Sequence, residues 1–472
     1  MKNSFYFILI VFISIHFVKA QVGIGTDTPS NSSILDVEST EEGVLLPRMT
    51  SAQRSAIPGP ANGLTVFDTD LQAYYFYNEN ESSWESLSSA RLERDNYVLI
   101  KSQEDFPDAS GGAITLDSNT FYEINGPVNI DTPLNLNGAY LAGLDASEDV
   151  LIKNSGNIFE GNGGSIRNLS ITGGANVFAL SAGSSLLVQN TIISNMASVG
   201  TVSGIGFVFL SNVQYINNSN GVVYSDITNL LLNNQAWQAG NSGTFEKFEG
   251  DFHLIQKASG FSIADTGAVA IDVSSNPNVD EGVITGTVFS GSSVTKINKY
   301  TSTPSNTNFT KNWFVQAPGI KDENDDVATG NIYYDGDLNT GYGLTSAAVG
   351  TAFKLTGGAV TSNLLRFSSN AVNRLRYEGK EAKAFSINAS LSVRGTNRQG
   401  EFYSFFIRVN GNTTLNRTNA IFYVDNITNV SSISLSGTVV LNPNDYVEIW
   451  CQKLTGTQSG NLTIFSQNLN IN

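Results

Sequence analysis

Cysteine and histidine are almost missing from this 472-residue chain, which has one cysteine and two histidines. Cys451 cannot form an intrachain disulfide, so burial and backbone hydrogen bonds must hold the fold. His16 lies in the apolar N-terminal segment, which leaves His253 for the rest of the chain. A catalytic triad needs a base such as histidine, and a zinc site needs several histidine or cysteine ligands. The sequence therefore favours neither kind of site. We expect Cys451 to be a buried apolar residue and His253 a hydrogen-bonded strand residue.

Basic residues are also few, since 26 lysines and arginines stand against 42 aspartates and glutamates. Residues 1–20 combine Lys2, an apolar run from Phe5 to Phe17 and small residues at the end, a pattern typical of a signal peptide. Its removal takes two lysines and no acid, so the net charge of −16 becomes −18. An acidic chain repels phosphates and anionic lipid surfaces, so nucleic acid is not an expected partner.

Long apolar runs are absent after the signal peptide, and none approaches the roughly 20 residues that a membrane helix needs. We therefore expect no membrane insertion and a secreted, extracellular or outer cell-surface location. Gln21, not cysteine, follows the predicted cleavage site, which argues against a lipid anchor there. Charged residues make up 14% of the chain and glycine is frequent, a composition that suits strands and tight turns. The sequence predicts an all-β protein.

The segment after the signal peptide, residues 21–96, consists of short conspicuous blocks. They include Gly23-Ile24-Gly25-Thr26, Leu45-Leu46-Pro47-Arg48 and Val66-Phe67-Asp68. This series resembles the leader of many exported surface proteins of the Bacteroidota. The resemblance implies a protein that is secreted or displayed at the cell surface and that presents the part of the chain following the leader.

Residues 97–319 carry a recurring pattern of one asparagine before a short β-rich run. The asparagines are Asn168, Asn190, Asn212 and Asn229, at spacings of 22, 22 and 17 residues. A period near twenty is typical of a parallel β-helix, whose coils stack equivalent residues above one another. We predict a right-handed parallel β-helix in which these asparagines form a ladder of side-chain hydrogen bonds. An antiparallel sandwich with asparagine in its turns is the alternative.

Residues 320–345 form a predicted junction and the start of a head, and residues 346–472 read as longer alternating strands separated by turns such as Asn410-Gly411. Two packed antiparallel sheets are expected there. Asn373-Arg374-Leu375-Arg376-Tyr377-Glu378-Gly379 and Asn444-Asp445-Tyr446-Val447-Glu448-Ile449-Trp450 resemble the jelly-roll heads of complement and tumour-necrosis-factor-like proteins and of phage tail fibres. The resemblance implies a trimeric head.

Catalytic residues are hard to select from the sequence. The predicted β-helix is similar to that of pectate-lyase-like enzymes, which would need a base beside a cation, yet Arg167 next to Asn168 has no evident acidic cluster at coil spacing. A glycosidase needs two facing carboxyl groups, and nothing in the spacing of Asp251, Asp265 and Asp272 selects a pair. We assign no catalytic residue.

A calcium site is the one metal site that the sequence suggests. Asp335, Asp337 and Asn339 begin like a calcium-binding loop, and Asp322-Glu323-Asn324-Asp325-Asp326 is also rich in oxygen ligands. Thr340 stands where such a loop requires glycine, which favours a solvated linker without a cofactor.

These observations predict a secreted or cell-surface binding and adhesion protein that recognises a polysaccharide or cell-surface glycan, without identifying the binding residues. A homotrimer would multiply weak contacts. A polysaccharide lyase or glycoside hydrolase of the β-helix type is the alternative function.

Overall fold

A computed structural model of the chain describes residues 21–87, 96–345, 348–456 and 460–472. The predicted signal peptide at residues 1–20 lies outside the described residues. The chain divides into two compact units, Met1–Asp95 and Asn96–Asn472. The described part is nearly all-β, as the composition predicted, with one short α-helix and two single-turn 3-10 helices at Gln103–Asp105 and Asp325–Val327.

The first unit contains a pair of parallel strands and a four-stranded sheet. Strands β1 (Val22–Ile24) and β2 (Leu35–Val37) form the pair, and the sheet has the order β3 (Arg48–Met49), β4 (Thr65–Asp68), β5 (Ala73–Asn78), β6 (Ser83–Ser86). Helix α1 (Ser51–Ser55) starts at a capping box, because the side chains of Thr50 and Gln53 accept hydrogen bonds from each other's backbone amides. Arg54 of α1 donates to buried Asp68 at 2.9 Å.

The second unit opens with a parallel β-helix, a continuous sheet of 20 strands that winds through successive coils. Its strands, in chain order, are β7 (Tyr97–Ile100), β8 (Ile114–Thr115), β9 (Phe121–Ile124), β10 (Pro127–Asn129), β11 (Leu134–Asn135), β12 (Tyr140–Ala142), β13 (Val150–Ile152), β14 (Asn157–Asn162), β15 (Ser165–Arg167), β16 (Ser170–Thr172), β17 (Asn176–Ser194), β18 (Ser198–Ser203), β19 (Ile205–Ile216), β20 (Val222–Trp237), β21 (Thr244–Ile263), β22 (Val269–Asp272), β23 (Asn278–Thr285), β24 (Val288–Ser290), β25 (Ile297–Asn298) and β26 (Trp313–Gln316).

Each coil has three faces, which we number by the stacks of paired strands. Face 1 runs from β7 through β9, β12 and β15 to β26, and face 3 runs from β10 through β13 and β16 to β24. Face 2 runs from β8 through β11 and β14 to β25. The long strands β17, β20 and β21 bend around the corners and contribute to all three faces.

Alternation along each strand places one residue inside the β-helix and the next outside. On face 1 the inward column includes Leu141, Ile166, Val188, Leu210 and Leu232, each at most 1% exposed. Stacked aliphatic side chains therefore fill the interior, and this core runs continuously from Ile100 to Ala317. The coils are equal in length at the centre of the stack, where Leu187 pairs with Phe209, and longer at its end, where Gly282 pairs with Trp313.

The asparagine ladder exists at the corner between faces 1 and 3, but one predicted member was wrong. The side-chain amides of Asn190, Asn212 and Asn234 donate to the preceding rung at 3.0, 3.1 and 2.6 Å. All four rungs, Asn168 included, have φ near +50°, a conformation that asparagine tolerates better than most residues. Asn229, the predicted fourth rung, lies in mid-strand opposite Phe207. The spacing of 22 residues thus continues to Asn234, and the ladder is largely exposed rather than buried.

The head consists of two antiparallel six-stranded sheets around a second apolar core. Its strands are β27 (Thr329–Tyr333), β28 (Tyr342–Thr345), β29 (Ala352–Lys354), β30 (Val360–Leu365), β31 (Phe367–Ser368), β32 (Leu375–Tyr377), β33 (Lys383–Gly395), β34 (Phe402–Val409), β35 (Thr413–Tyr423), β36 (Ser431–Leu441), β37 (Tyr446–Lys453) and β38 (Asn461–Ile471).

The order β27-β38-β33-β36 faces the order β32-β37-β34-β35, which is the connectivity of a jelly roll. Buried Cys451 of β37 packs as an apolar residue in this core, and burial raises the pKa of its thiol. The predicted fold class, a parallel β-helix followed by an antiparallel sandwich, is confirmed. The last parallel strand ends at Gln316 and the first head strand begins at Thr329.

Candidate functional site

The junction between the β-helix and the head is organised around a buried arginine. Arg366 follows β30, adopts φ of +57° and is 9% exposed. Its guanidinium donates to the carbonyl oxygens of Trp313 at 2.6 Å and Glu323 at 3.1 Å, and its Nε lies 3.2 Å from the Asp325 carboxylate. Burial lowers the pKa of Arg366, and Asp325 opposes that shift. A head residue thus closes the end of the β-helix.

Two carboxylates fix the loops on either side of this arginine. Glu323 is fully buried and accepts hydrogen bonds from the backbone amides of Asn308 and Phe309 at 2.8 to 3.0 Å. Asp325 accepts from the backbone amides of Lys380 at 2.8 Å and Glu381 at 3.3 Å. Loops from the last coil and from the head are therefore held in place beside each other, which makes the surface between them preformed.

One cavity at this junction, which we call the polar groove, has a volume of about 500 Å³. It lies between loop 303–311 of the last coil and residues 361–369 of the head. The Asn306 side chain bridges its walls by donating to the Leu364 carbonyl at 2.7 Å, and Ser368 donates to Glu378 at 2.6 Å. Most of its lining residues carry a hydroxyl, an amide or a charge, including Ser305, Thr310, Thr361, Ser362, Asn363 and Ser369.

A second cavity of about 380 Å³, the acidic pocket, opens between the last coils of face 1 and the head. Its carboxylates are Glu281, Asp325, Asp326 and Glu381, and Lys311 and Lys380 line it as well. Asp325 is engaged by Arg366, and Asp326 forms an ion pair with Lys383. Glu281 and Glu381, both exposed, are the carboxylates of this pocket that would face a bound molecule.

The residues suggested for calcium form a local turn in the head. The carboxylate of Asp337 accepts from the backbone and side-chain amides of Asn339 at 2.8 and 3.1 Å. Within the described residues, no three side chains of histidine, cysteine, aspartate or glutamate form a group that could hold a metal ion. Calcium binding by Asp335, Asp337 and Asn339 stays a prediction.

The residues considered for catalysis lie apart from one another. Arg167 is exposed on face 1, where its paired neighbours are Ala142 and Gln189, and it donates to Ser165. Asp251 and Asp272 accept hydrogen bonds from Asn278 and Asn298, their respective neighbours in the next coil. Asp265 lies in the turn before β22. Exposed His253 lies 3.2 Å from Asp280.

The aromatic residues of the β-helix include both buried and exposed ones. Trp237 and Trp313 are at most 1% exposed and belong to the core. An exposed row that the sequence reading missed lies on face 1, where Tyr97 stacks on Phe121 at 5.9 Å between ring centroids and Tyr140 follows in register. Each of these residues pairs with the next one coil further on, but the two steps are 24 and 19 residues long, so a search of the sequence for one fixed spacing does not find them.

Comparison with known proteins identifies one region of the chain. Residues 23–103, which include strands β1 to β7, match the family described as a phage tail like trimerisation region. No curated protein sequence is similar to the chain. None of the helices in the described residues has the length and hydropathy to span a membrane.

Several solved structures are distantly similar. The enzymatically active domain of tailspike protein 2 from bacteriophage CBA120 shares 10% identity over 89% of each chain, with a TM-score of 0.27. ORF18 of Geobacillus virus E2 shares 13% identity over 89% of each chain, with a TM-score of 0.23. The globular domain of zebrafish complement 1qA protein shares 12% identity over 31% of this chain and 95% of that chain, with a TM-score of 0.19. Because these scores are low, we draw no functional argument from them.

Proposed function

We propose that the chain forms a trimeric fibre, exported from the cell, that binds a polysaccharide or cell-surface glycan in the polar groove at the β-helix–head junction. The observation that carries the binding assignment is the preformed groove itself. Its hydroxyl, amide and carboxylate side chains offer both donors and acceptors, which is what a ligand rich in hydroxyl groups requires. Its volume of about 500 Å³ would hold a few sugar rings.

The trimer is supported by the first unit as well as by the family match. Among the hydrophobic residues of 21–87, Val66 is buried, whereas Ile34, Leu45 and Leu35 are 81%, 80% and 56% exposed. Apolar side chains left so exposed in a single chain mark a surface that another chain covers. Three chains would present three grooves, so weak sugar contacts would combine into useful avidity.

The test uses the mature chain, residues 21–472, on a polysaccharide panel scored for binding and for released sugars. Ser305→Trp and Thr361→Trp would each fill the polar groove, and Ser432→Trp on the outer surface of the head is the matched control. We expect the two groove variants to lose most binding to whichever glycan the wild type retains, and the control to bind normally. Equal binding by all four proteins would overturn the groove assignment.

A β-helix glycoside hydrolase or lyase is the second candidate, and the acidic pocket is the observation that favours it. Glu281 of the β-helix and Glu381 of the head both line this cavity, and a glycosidase requires two carboxyl groups that face one sugar. If the wild type releases sugars, and Glu281→Gln or Glu381→Gln abolishes this release while binding is retained, the chain is an enzyme and not a binding protein alone.

Export to the cell surface rests on the signal-like segment and on the resemblance of residues 21–96 to Bacteroidota leaders. The acidic charge of the mature chain is consistent with a soluble surface structure. N-terminal sequencing of the exported protein should give Gln21 as the first residue. An intracellular chain that retains residues 1–20 would contradict this part of the proposal.

A further inference from the structure

The outer surface of face 1 carries an unbroken column of uncharged residues. Ten paired positions run from Tyr97 to Phe314, and they comprise eight apolar or aromatic residues, one serine and one glutamine. Tyr97, Tyr140 and Phe314 are 42%, 40% and 37% exposed, and Phe209 and Leu231 are half-buried at the centre. Glu123 and Arg167 lie in the neighbouring outer column.

The outer surface of face 3 has the same character. Its column of eight paired positions runs from Pro127 to Val288 and comprises six apolar residues, one serine and one glutamine. Ile192, Ala236 and Phe261 are half-buried in its central coils, and Val288 is 45% exposed. Two of the three faces therefore present apolar stripes that no other described part of the second unit covers.

Face 2 differs, because its corresponding column is charged. Glu160, Lys247 and Asp272 are three of its seven positions, and Lys247 forms an ion pair with Glu249 on the same surface. Charged side chains are depleted from the centres of protein interfaces and are stable in water. Face 2 is thus suited to face solvent.

A closed ring of three identical chains requires two different surfaces on each chain, because each chain contacts both of its neighbours. We propose that face 1 of one chain packs against face 3 of the next copy, which rests on the proposed trimer and names its contact surface. Faces 1 and 3 meet at the corner formed by the asparagine ladder, so this corner points toward the threefold axis. Face 2 lies opposite and points outward.

Two further observations support a second copy as the occupant. The matched trimerisation region extends to residue 103 and includes β7, whose Tyr97 and Leu99 begin the face 1 surface. The stripe is therefore continuous in sequence with the region assigned to trimer formation. Ten stacked positions on face 1 and eight on face 3, at a spacing of about 4.8 Å and with strands of about four residues, give the faces roughly 400–600 Å² each. One contact would therefore bury roughly 1,000 Å² in total, which is sufficient for a specific interface.

Cysteine cross-linking tests this arrangement, and buried Cys451 leaves the surface free of other thiols in the described residues. With the axis parallel to the stack, residues of one coil meet the same coil of the neighbour, so Leu231 on face 1 and Ala236 on face 3 approach each other between chains. The double variant Leu231→Cys/Ala236→Cys, treated with a short bis-maleimide, should give a covalent trimer. Each single variant should stay uncrosslinked, and Val223→Cys/Ala236→Cys, which replaces face 1 by face 2, is the matched control.

The outcomes separate this inference from the trimer itself. A wild-type chain that is monomeric by light scattering would contradict both the proposed trimer and the proposed contact surface. A trimeric wild type whose double variant fails to cross-link would overturn the face 1 to face 3 contact while the trimer stands. Dimers formed by the single Leu231→Cys variant would also overturn it, because they require face 1 to meet face 1.

Discussion

At the residue scale, the largely apolar interior of the β-helix contains one buried ion pair among the described residues. Lys257 donates to Glu246 at 2.8 Å, and each side chain is 1% exposed. The Lys257 ammonium also lies 5.0 Å from the ring of Phe245. The second carboxylate oxygen of Glu246 has no hydrogen-bond partner among the described residues. The pair joins face 2 to face 1 across the interior, because Glu246 is on one stack and Lys257 on the other.

Removing one member of this pair should be far more damaging than removing both. Lys257→Met leaves a buried charge unpaired, which costs about 3–5 kcal/mol, whereas Glu246→Leu/Lys257→Met should be neutral or stabilising. Denaturant unfolding at fixed chain concentration measures both. Lys247→Met, which breaks the partly exposed pair with Glu249, is the control and should cost about 1 kcal/mol or less. Equal losses for the single and double variants would contradict this account.

The same carboxyl should make stability depend on pH. Burial raises the pKa of Glu246 above its ordinary value of 4.5, although Lys257 opposes the shift. Between these two pKa values the folded chain holds the proton that the unfolded chain has lost, so the free energy of unfolding falls as pH rises through that window. Glu246→Gln should remove this fall, and urea midpoints from about pH 4 to about pH 8 would show it. Parallel profiles for the two proteins would contradict the assignment.

The asparagine corner makes a separate prediction. Asn212 combines φ of +55° with two ladder hydrogen bonds, so Asn212→Ala should lose about 1–3 kcal/mol through strain and lost bonding. Asn212→Gly keeps the conformation at little strain and should lose less. Thermal unfolding midpoints measure the difference. Asn229→Ala is the matched control and should leave the stability nearly unchanged. A loss of stability as large as that of Asn212→Ala would contradict the assignment of Asn229 to mid-strand.

At the element scale, the sequence predicted the repeating coil and the head but not the surfaces between them. The regular spacing from Asn168 through Asn190 to Asn212 sufficed to predict the stack, because equivalent corners impose equivalent residues. It misassigned Asn229, because a single sequence does not distinguish a corner asparagine from one in mid-strand. The uncharged columns on faces 1 and 3 could not be predicted from the sequence, because coil length changes along the chain and paired outer residues do not recur at one fixed spacing.

The junction could not be predicted for a different reason. Arg366 meets Trp313 and Glu323, which are 53 and 43 residues away, and no periodic pattern links them. Its groove is likewise built from loops 303–311 and 361–369, which come together only through tertiary packing. Asp335 and Asp337 were predicted as calcium ligands because an acidic loop can be recognised in a sequence. Glu323 and Asp325 hold the junction loops in place only because tertiary packing brings those loops to them.

The junction arginine should couple the two elements that it joins. Arg366→Met leaves Asp325 and two carbonyl groups without a buried donor and should cost about 3–5 kcal/mol. Calorimetry should show the head and β-helix separating into two transitions. Arg376→Met, which removes a partly exposed partner of Glu378, is the control and should leave the transition intact. An unchanged unfolding profile for Arg366→Met would show that the head docks by other contacts.

At the scale of the whole molecule, the net charge of −16 opposes association between copies, whereas the uncharged stripes of faces 1 and 3 would favour the proposed contact. Added salt screens the repulsion and leaves apolar contacts in place, so the proposed trimer should become more stable at high ionic strength. Sedimentation at about 0.01 M and about 1 M salt, where the Debye length falls from about 30 Å to about 3 Å, measures this. Dissociation at high salt would instead indicate ion pairs across the contact.

The coils between Leu187 and Leu231 are equal in length, so the β-helix can be lengthened or shortened by whole coils. Both steps in that interval have the same length, so a duplicated coil such as residues 190–211 would repeat one asparagine rung and one position on each apolar column. Each added coil would lengthen the β-helix by roughly 4.8 Å without changing the junction with the head or the proposed pairing of faces 1 and 3. The length of the β-helix and the lining of the proposed binding groove can therefore evolve independently, the first by gain or loss of coils and the second by substitutions in the groove.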